Sequence, residues 1–213
     1  MKIIVVSSSA PTEAEAELVK ELFELGLESF HFRKPDLSTR EIVVFLKKIP
    51  DYFHERIMIH SHHRLAGKFK LGGIHLTKSH LKKPLRLWFN RQFLNIKNPG
   101  YLTSVSFRKL SSLYSDKNQY SYVMLSPVFD SLTGNFHSGF NEFSLRAALG
   151  KTRHKVIARG GTKAENLLIA RDLGFDGVAF GSCIWKSASP IKELERILNV
   201  LQKEGIKQEV VRT

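Results

Sequence analysis

Eight short apolar runs alternate with amphipathic stretches from one end of this 213-residue chain to the other, and that alternation restricts the fold more than any other feature. The runs are Lys2 to Ser7, Ser29 to Arg33, Arg56 to Ser61, Gly73 to Leu76, Leu102 to Ser106, Tyr120 to Ser126, Lys155 to Arg159 and Asp176 to Gly181. Each has the length and composition of a buried strand. Between them, helical spacing is read over Thr12 to Leu25, Ser38 to Lys48, Lys163 to Leu173 and Pro190 to Lys203. Ser38 followed by Glu41 has the form of a capping box, and Pro190 suits a first helical turn. Gly26 and Gly174 stand where helices should stop. Eight βα units in succession predict one α/β domain over 1–205, a closed (β/α)8 TIM barrel, followed by a polar, basic tail over 206–213 that should fray. A doubly wound sheet is the alternative, but Ser7-Ser8-Ser9-Ala10 after the first run lacks the glycine fingerprint of a dinucleotide site.

Composition narrows the class of partner. The chain begins directly on strand-like residues and has no apolar run of membrane-spanning length, so a cytoplasmic, non-membrane protein is expected. The single cysteine, Cys183, sits among apolar neighbours and reads as core packing. A net charge of +13 attracts anions in general. The lysines are scattered over the polar sides of helical segments, and no zinc-finger, helix-turn-helix or aromatic-rich basic strand pattern is present. A solvated basic surface is therefore expected ahead of a nucleic-acid face.

In such a barrel, chemistry gathers where strands end at their C-terminal edge. Gly160-Gly161 and Gly181-Ser182 each follow an apolar run there, and small residues leave backbone N–H groups uncovered, as a phosphate requires. On the second run, Phe30-His31-Phe32-Arg33 alternates, so His31 and Arg33 share the face opposite the two phenylalanines. An inward cation needs an anionic ligand or an internal carboxylate. His60, His62, His63, His75 and His80 also crowd the third and fourth runs, but their spacing is loose and no carboxylate is interleaved, so no metal is assigned to them.

Together these segments resemble the thiamine phosphate synthase and TenI thiazole tautomerase family of single-domain barrels. The resemblance is carried by Phe30-His31-Phe32-Arg33, Gly73-Ile74-His75-Leu76, Ser104-Val105-Ser106, Ser126-Pro127-Val128-Phe129, Ala158-Arg159-Gly160-Gly161 and Asp176 through Ser182, and it runs over nearly the whole chain. It implies a phosphate cup at Gly160, Gly161, Gly181 and Ser182, and a catalytic set of His31, Arg33, Ser106 and Arg108. It further implies a substrate or pyrophosphate lining of Lys34, His60, Ser61, His80, Ser131, Thr133 and Arg159. The expected ligands are thiazole phosphate, pyrimidine pyrophosphate or thiamine phosphate, and a homodimer is compatible with the family.

This sequence also departs from the family's pattern. The two aspartates that hold magnesium in the synthases are Ser61 and His80 here, so magnesium is implied by the resemblance without its ligands being retained. The lysine expected after Ser131 and Thr133 is Gly134, and the histidine that tautomerases carry after the strand-five serine is Arg108. Three activities stay open on this reading. They are synthase, with fixed arginines replacing metal charge; tautomerase, with His31 as acid and base; and binding of thiazole or thiamine phosphate without turnover.

Overall fold

The eight runs become eight parallel strands closed in chain order into one barrel, in a computed structural model that describes residues 1–8, 14–129 and 140–209. The strands are β1 (Lys2–Val6), β2 (Phe30–Phe32), β3 (Ile57–Ile59), β4 (Gly73–Leu76), β5 (Leu102–Phe107), β6 (Tyr122–Leu125), β7 (Val156–Arg159) and β8 (Gly177–Phe180). The helices around them are α1 (Glu15–Glu24), α2 (Thr39–Lys48), α3 (Arg64–Lys68), α4 (Lys78–Leu81), α5 (Pro84–Lys97), α6 (Ser112–Ser115), α7 (Glu142–Lys151), α8 (Leu167–Leu173), α9 (Ser182–Trp185) and α10 (Pro190–Lys203). β1 pairs with β8 as well as with β2, which closes the sheet and excludes the doubly wound alternative.

Most of the expected elements form where the pattern placed them. Ser38 caps α2 in the capping box expected of it, with its Oγ accepting from the Glu41 N–H and the Glu41 carboxylate accepting from the Ser38 N–H. Gly174 ends α8 in the left-handed conformation at φ 100°. The helix expected over Lys163 to Leu173 divides into a 3-10 turn at Ala164–Asn166 followed by α8. Of the tail expected to fray, residues 206–209 are described. They are tied to the first strand, with the Met1 ammonium donating to the Lys207 carbonyl at 2.7 Å, Glu209 N–H to the Met1 carbonyl at 3.0 Å, and the Glu209 carboxylate 2.9 Å from Lys155 Nζ.

Strand alternation builds two cores. Facing the helices, Ile3, Val5, Phe30, Phe32, Ile57, Ile59, Val123, Leu125, Val178 and Phe180 join one buried cluster with α1, α2, α8 and α10. Inside the barrel, Ile4, Val6, Met58, Met124, Ile157 and Ala179 form a second, smaller cluster. The remaining interior positions are polar. His31 on β2 reaches Tyr122 on β6 with Nε2 2.5 Å from the hydroxyl, a contact that has to cross the lumen. This half-polar interior sits directly beneath the C-terminal mouth and carries the candidate site above it.

Candidate functional site

Two glycine turns form one wall of the mouth. Gly160 and Gly161 follow β7 at φ 94° and 69°, conformations that an L-residue adopts only with strain. A Cβ on Gly160 would lie 2.9 Å from the Pro127 Cα, because the segment after β6 continues alongside β7: the Val128 N–H donates to the Arg159 carbonyl and the Phe129 N–H to the Gly160 carbonyl. Gly181 caps the short helix α9, and Thr162 Oγ1 donates to the Ala179 carbonyl at 2.7 Å, fastening the β7 turn to β8. Trp185 Nε1 donates to the Val6 carbonyl at 2.6 Å and closes the wall against β1.

These turns border a cavity of about 570 Å³ that is also lined by Arg33, Arg108, Arg159 and Lys186, together with the hydroxyls of Ser7, Ser8, Ser126, Thr162 and Ser182. No aspartate or glutamate lines it among the described residues. Burial, with the neighbouring Arg33 and Arg108 charges, lowers the Arg159 guanidinium to about 10. Three guanidinium groups held this close repel one another, and an anion between them relieves that repulsion.

The expected site residues divide into two groups. Gly160, Gly161, Gly181, Ser182, Arg33, Arg108 and Arg159 meet around the cavity. Six others lie elsewhere. Lys34 turns back to form a buried ion pair with Glu15 at 2.6 Å and donates to the Ser8 carbonyl at 2.9 Å, because a methylene-rich lysine stem can be buried when its charge is matched. Ser61 is half-buried just beyond the end of β3, and His80 is held in α4, its Nδ1 2.9 Å from the Thr77 hydroxyl and accepting from the Thr77 N–H. His31, His60 and Ser106 belong to the interior beneath. Ser131 and Thr133 fall outside the described residues. Sequence reasoning missed Ser7, Ser8, Ser126, Thr162 and Lys186; the hydroxyl run after the first strand was the available signal.

Beneath the cavity, three imidazoles form a single network. His31 Nδ1 lies 3.0 Å from His60 Nε2, and the His60 and His75 rings stack at 4.1 Å. His75 Nδ1 meets Ser104 Oγ at 2.8 Å, and its Nε2 meets Ser106 Oγ at 3.1 Å. A consistent assignment has the Tyr122 hydroxyl donating to His31 Nε2 and His31 Nδ1–H donating to His60. Burial drives all three below the ordinary imidazole range, His75 to about 3 with Arg159 adding to the effect, and raises the Tyr122 phenol above its own. The rings are therefore neutral at pH 7. Their nitrogens lie within 4.8 Å of one another, so these are the described residues that could hold a transition metal, imidazole being its usual donor. Magnesium is a different matter. A hard cation needs oxygen ligands, chiefly carboxylates, and Ser61, His80 and an arginine-lined cavity do not supply them. The residues present do not fit it.

Cys183 packs against the outer core, and burial, reinforced by Glu193, pushes its thiol up to about 12, in keeping with a packing role.

Comparisons with known proteins agree with this geometry. A family model described as thiamine monophosphate synthase matches residues 3–184. No curated protein sequence matches the chain. Among solved structures, a thiamine phosphate pyrophosphorylase from Bacteroides thetaiotaomicron is similar at 28% identity, covering 96% of this chain and 99% of its own, with a TM-score of 0.76. One from Pyrococcus furiosus is similar at 19% identity, over 95% of this chain and 96% of its own, with a TM-score of 0.73. A 3-hexulose-6-phosphate synthase shares the fold at 15% identity, over 94% of this chain and 99% of its own, with a TM-score of 0.69.

Proposed function

The chain belongs to the thiamine monophosphate synthase family, and from that premise we propose that it joins hydroxymethylpyrimidine pyrophosphate to thiazole phosphate with release of pyrophosphate. The observation that carries this reading is the cavity itself, in which two glycine turns and the cations Arg33, Arg108 and Arg159 line one space of about 570 Å³. Thiazole phosphate takes the backbone N–H groups at Gly161, Gly181 and Ser182. Pyrophosphate takes the arginines, whose planar, bidentate donors match phosphate oxygens.

The reaction is then chiefly electrostatic. The C–O bond between the pyrimidine methylene and pyrophosphate breaks, both electrons leave with pyrophosphate, and the thiazole nitrogen closes a C–N bond on the resulting cation. Fixed guanidinium groups stabilise the negative charge that develops on the leaving group without reorganising at that moment. No step is routed through magnesium. The tautomerase reading depends on His31, and that ring is fully buried and engaged with Tyr122 and His60.

Incubating purified protein with both substrates, with magnesium and separately with a chelator, tests the proposal. Thiamine phosphate and pyrophosphate should form in both conditions, and Arg33→Ala should lower kcat/KM by roughly 10²-fold, as loss of one charge-stabilising donor does. Full activity in Arg33→Ala would overturn the assigned role. One further reading has a specific observation behind it: with Ser61 and His80 in place of two carboxylates, the barrel could bind thiazole phosphate without turnover. Calorimetric binding without any pyrophosphate release would establish that instead.

A further inference from the structure

The net charge of the chain is concentrated in one quarter of the barrel. Between Glu55 and Asp116 the sequence holds twelve lysines and arginines and no aspartate or glutamate, so this stretch carries twelve of the thirteen net positive charges and the rest of the chain is close to neutral. It runs from β3 through β5 and includes α5.

Helix α5 has its apolar residues on both sides. Leu94 is fully buried, and Phe93 packs against Gly67 of α3, which anchors the helix to the barrel. On the opposite face Leu85, Trp88, Phe89 and Ile96 fall on one stripe at helical spacing and are 77%, 55%, 65% and 78% exposed. Arg86 and Lys97 flank this stripe on one side and Arg91 on the other, by their positions on the helical wheel. Beside the start of α5 lies a second cavity, of about 350 Å³, lined by His62, His63, Arg64, His80, Lys83 and Arg86 and sharing no residue with the mouth.

We propose that this quarter docks peripherally on an anionic lipid bilayer, with the Leu85, Trp88, Phe89 and Ile96 stripe in the interface and a headgroup phosphate in the cavity beside it. Helices that lie in a bilayer interface combine an outward apolar face bearing Trp, Phe and Leu with flanking lysine and arginine, and anionic headgroups add an attraction for each nearby cation. A second copy of the chain is disfavoured as occupant: a two-fold contact sets this patch against itself and brings like charges together. Nucleic acid matches the charge and can stack on Trp88 and Phe89, yet it leaves aliphatic Leu85 and Ile96 in water. The inference is independent of which reaction the mouth performs, and no helix of the described residues is long and apolar enough to cross a membrane.

The full chain should sediment with vesicles of phosphatidylcholine mixed with phosphatidylglycerol at least ten-fold more strongly than with phosphatidylcholine alone, and high salt should reverse this. Brominated acyl chains should quench Trp88 fluorescence, and the quenching should vanish in Trp88→Phe, which retains Trp185 inside the fold. Replacing exposed Leu85 and Phe89 together by serine should cut vesicle binding by about ten-fold or more at unchanged charge. Four results would overturn the proposal: no preference for anionic vesicles, full binding by the double serine variant, displacement of the protein from vesicles by single-stranded RNA or DNA, or a stable dimer in which Trp88 is shielded from iodide.

Discussion

Glycine 160 shows how one residue can be decisive where its neighbour in function is not. Its φ of 94° and the Pro127 backbone 2.9 Å from a would-be Cβ mean that Gly160→Ala should destabilise the fold by about 1–3 kcal/mol, measured by urea unfolding. Gly181, at φ −140° with nothing within 4 Å of a would-be Cβ, has space for alanine, so Gly181→Ala should cost less stability than Gly160→Ala and show its main loss in phosphate affinity. The buried histidines make a second prediction. His31, His60, His63 and His75 all bind protons more weakly folded than unfolded, His63 titrating at about 4 and His75 at about 3. The unfolded chain therefore takes up protons first. Their contribution is full above pH 6.5 and declines as pH falls, by roughly 1 kcal/mol per group at pH 5.5. The urea midpoint should drop several-fold more between pH 7 and 5.5 than between pH 8.5 and 7, and equal midpoints at pH 7 and 5.5 would contradict the neutral network. The inward placement of His31 was legible from the alternation in Phe30-His31-Phe32-Arg33. Its partners were not, because Tyr122 is 91 positions away.

Among the elements, the strands were easier to read than the helices. A strand covered on both faces is a short apolar run whatever surrounds it, whereas a helix announces itself by polar residues on its outer side. Helix α10 does so, and Pro190–Lys203 was read with both ends correct. Helix α5 does not, since Leu85, Trp88, Phe89 and Ile96 occupy the face that periodicity expects to be polar, and it went unread. The start of α1 and the loop that follows β2 are joined by the buried Lys34–Glu15 pair. Lys34→Met should remove the cation paired with buried Glu15 and cost about 3–5 kcal/mol, while the double variant Lys34→Met with Glu15→Leu should recover most of that loss. A double-mutant cycle in urea reads the difference. If Lys34→Met changes activity without changing stability, Lys34 acts on substrate after all.

For the whole molecule, closure of the barrel depends on β1, which is held by β8 on one side and by the chain's last described residues at its start. Ending the chain at Gly205 removes the two bonds to Met1, the Ile206 N–H bond to the Leu201 carbonyl, the Gln208 amide bond to the Gly26 carbonyl and a partly exposed ion pair, a loss of about 2 kcal/mol or more. For a chain of this size that corresponds to a fall of roughly 4–8 °C in Tm by calorimetry. An unchanged Tm would mean that the tail does not brace the first strand. The number and order of the βα units, the position of the mouth and the two glycine turns were all determined by the sequence itself, because periodicity and turn chemistry act between residues a few places apart. Tertiary structure alone decided that His31, His60 and His75 share one buried interior, that Lys34 pairs with Glu15, and that Arg33, Arg108 and Arg159 line one cavity. The charge, desolvation and hydrogen bonding of a side chain depend on whatever the fold brings beside it, and those neighbours come from distant parts of the chain.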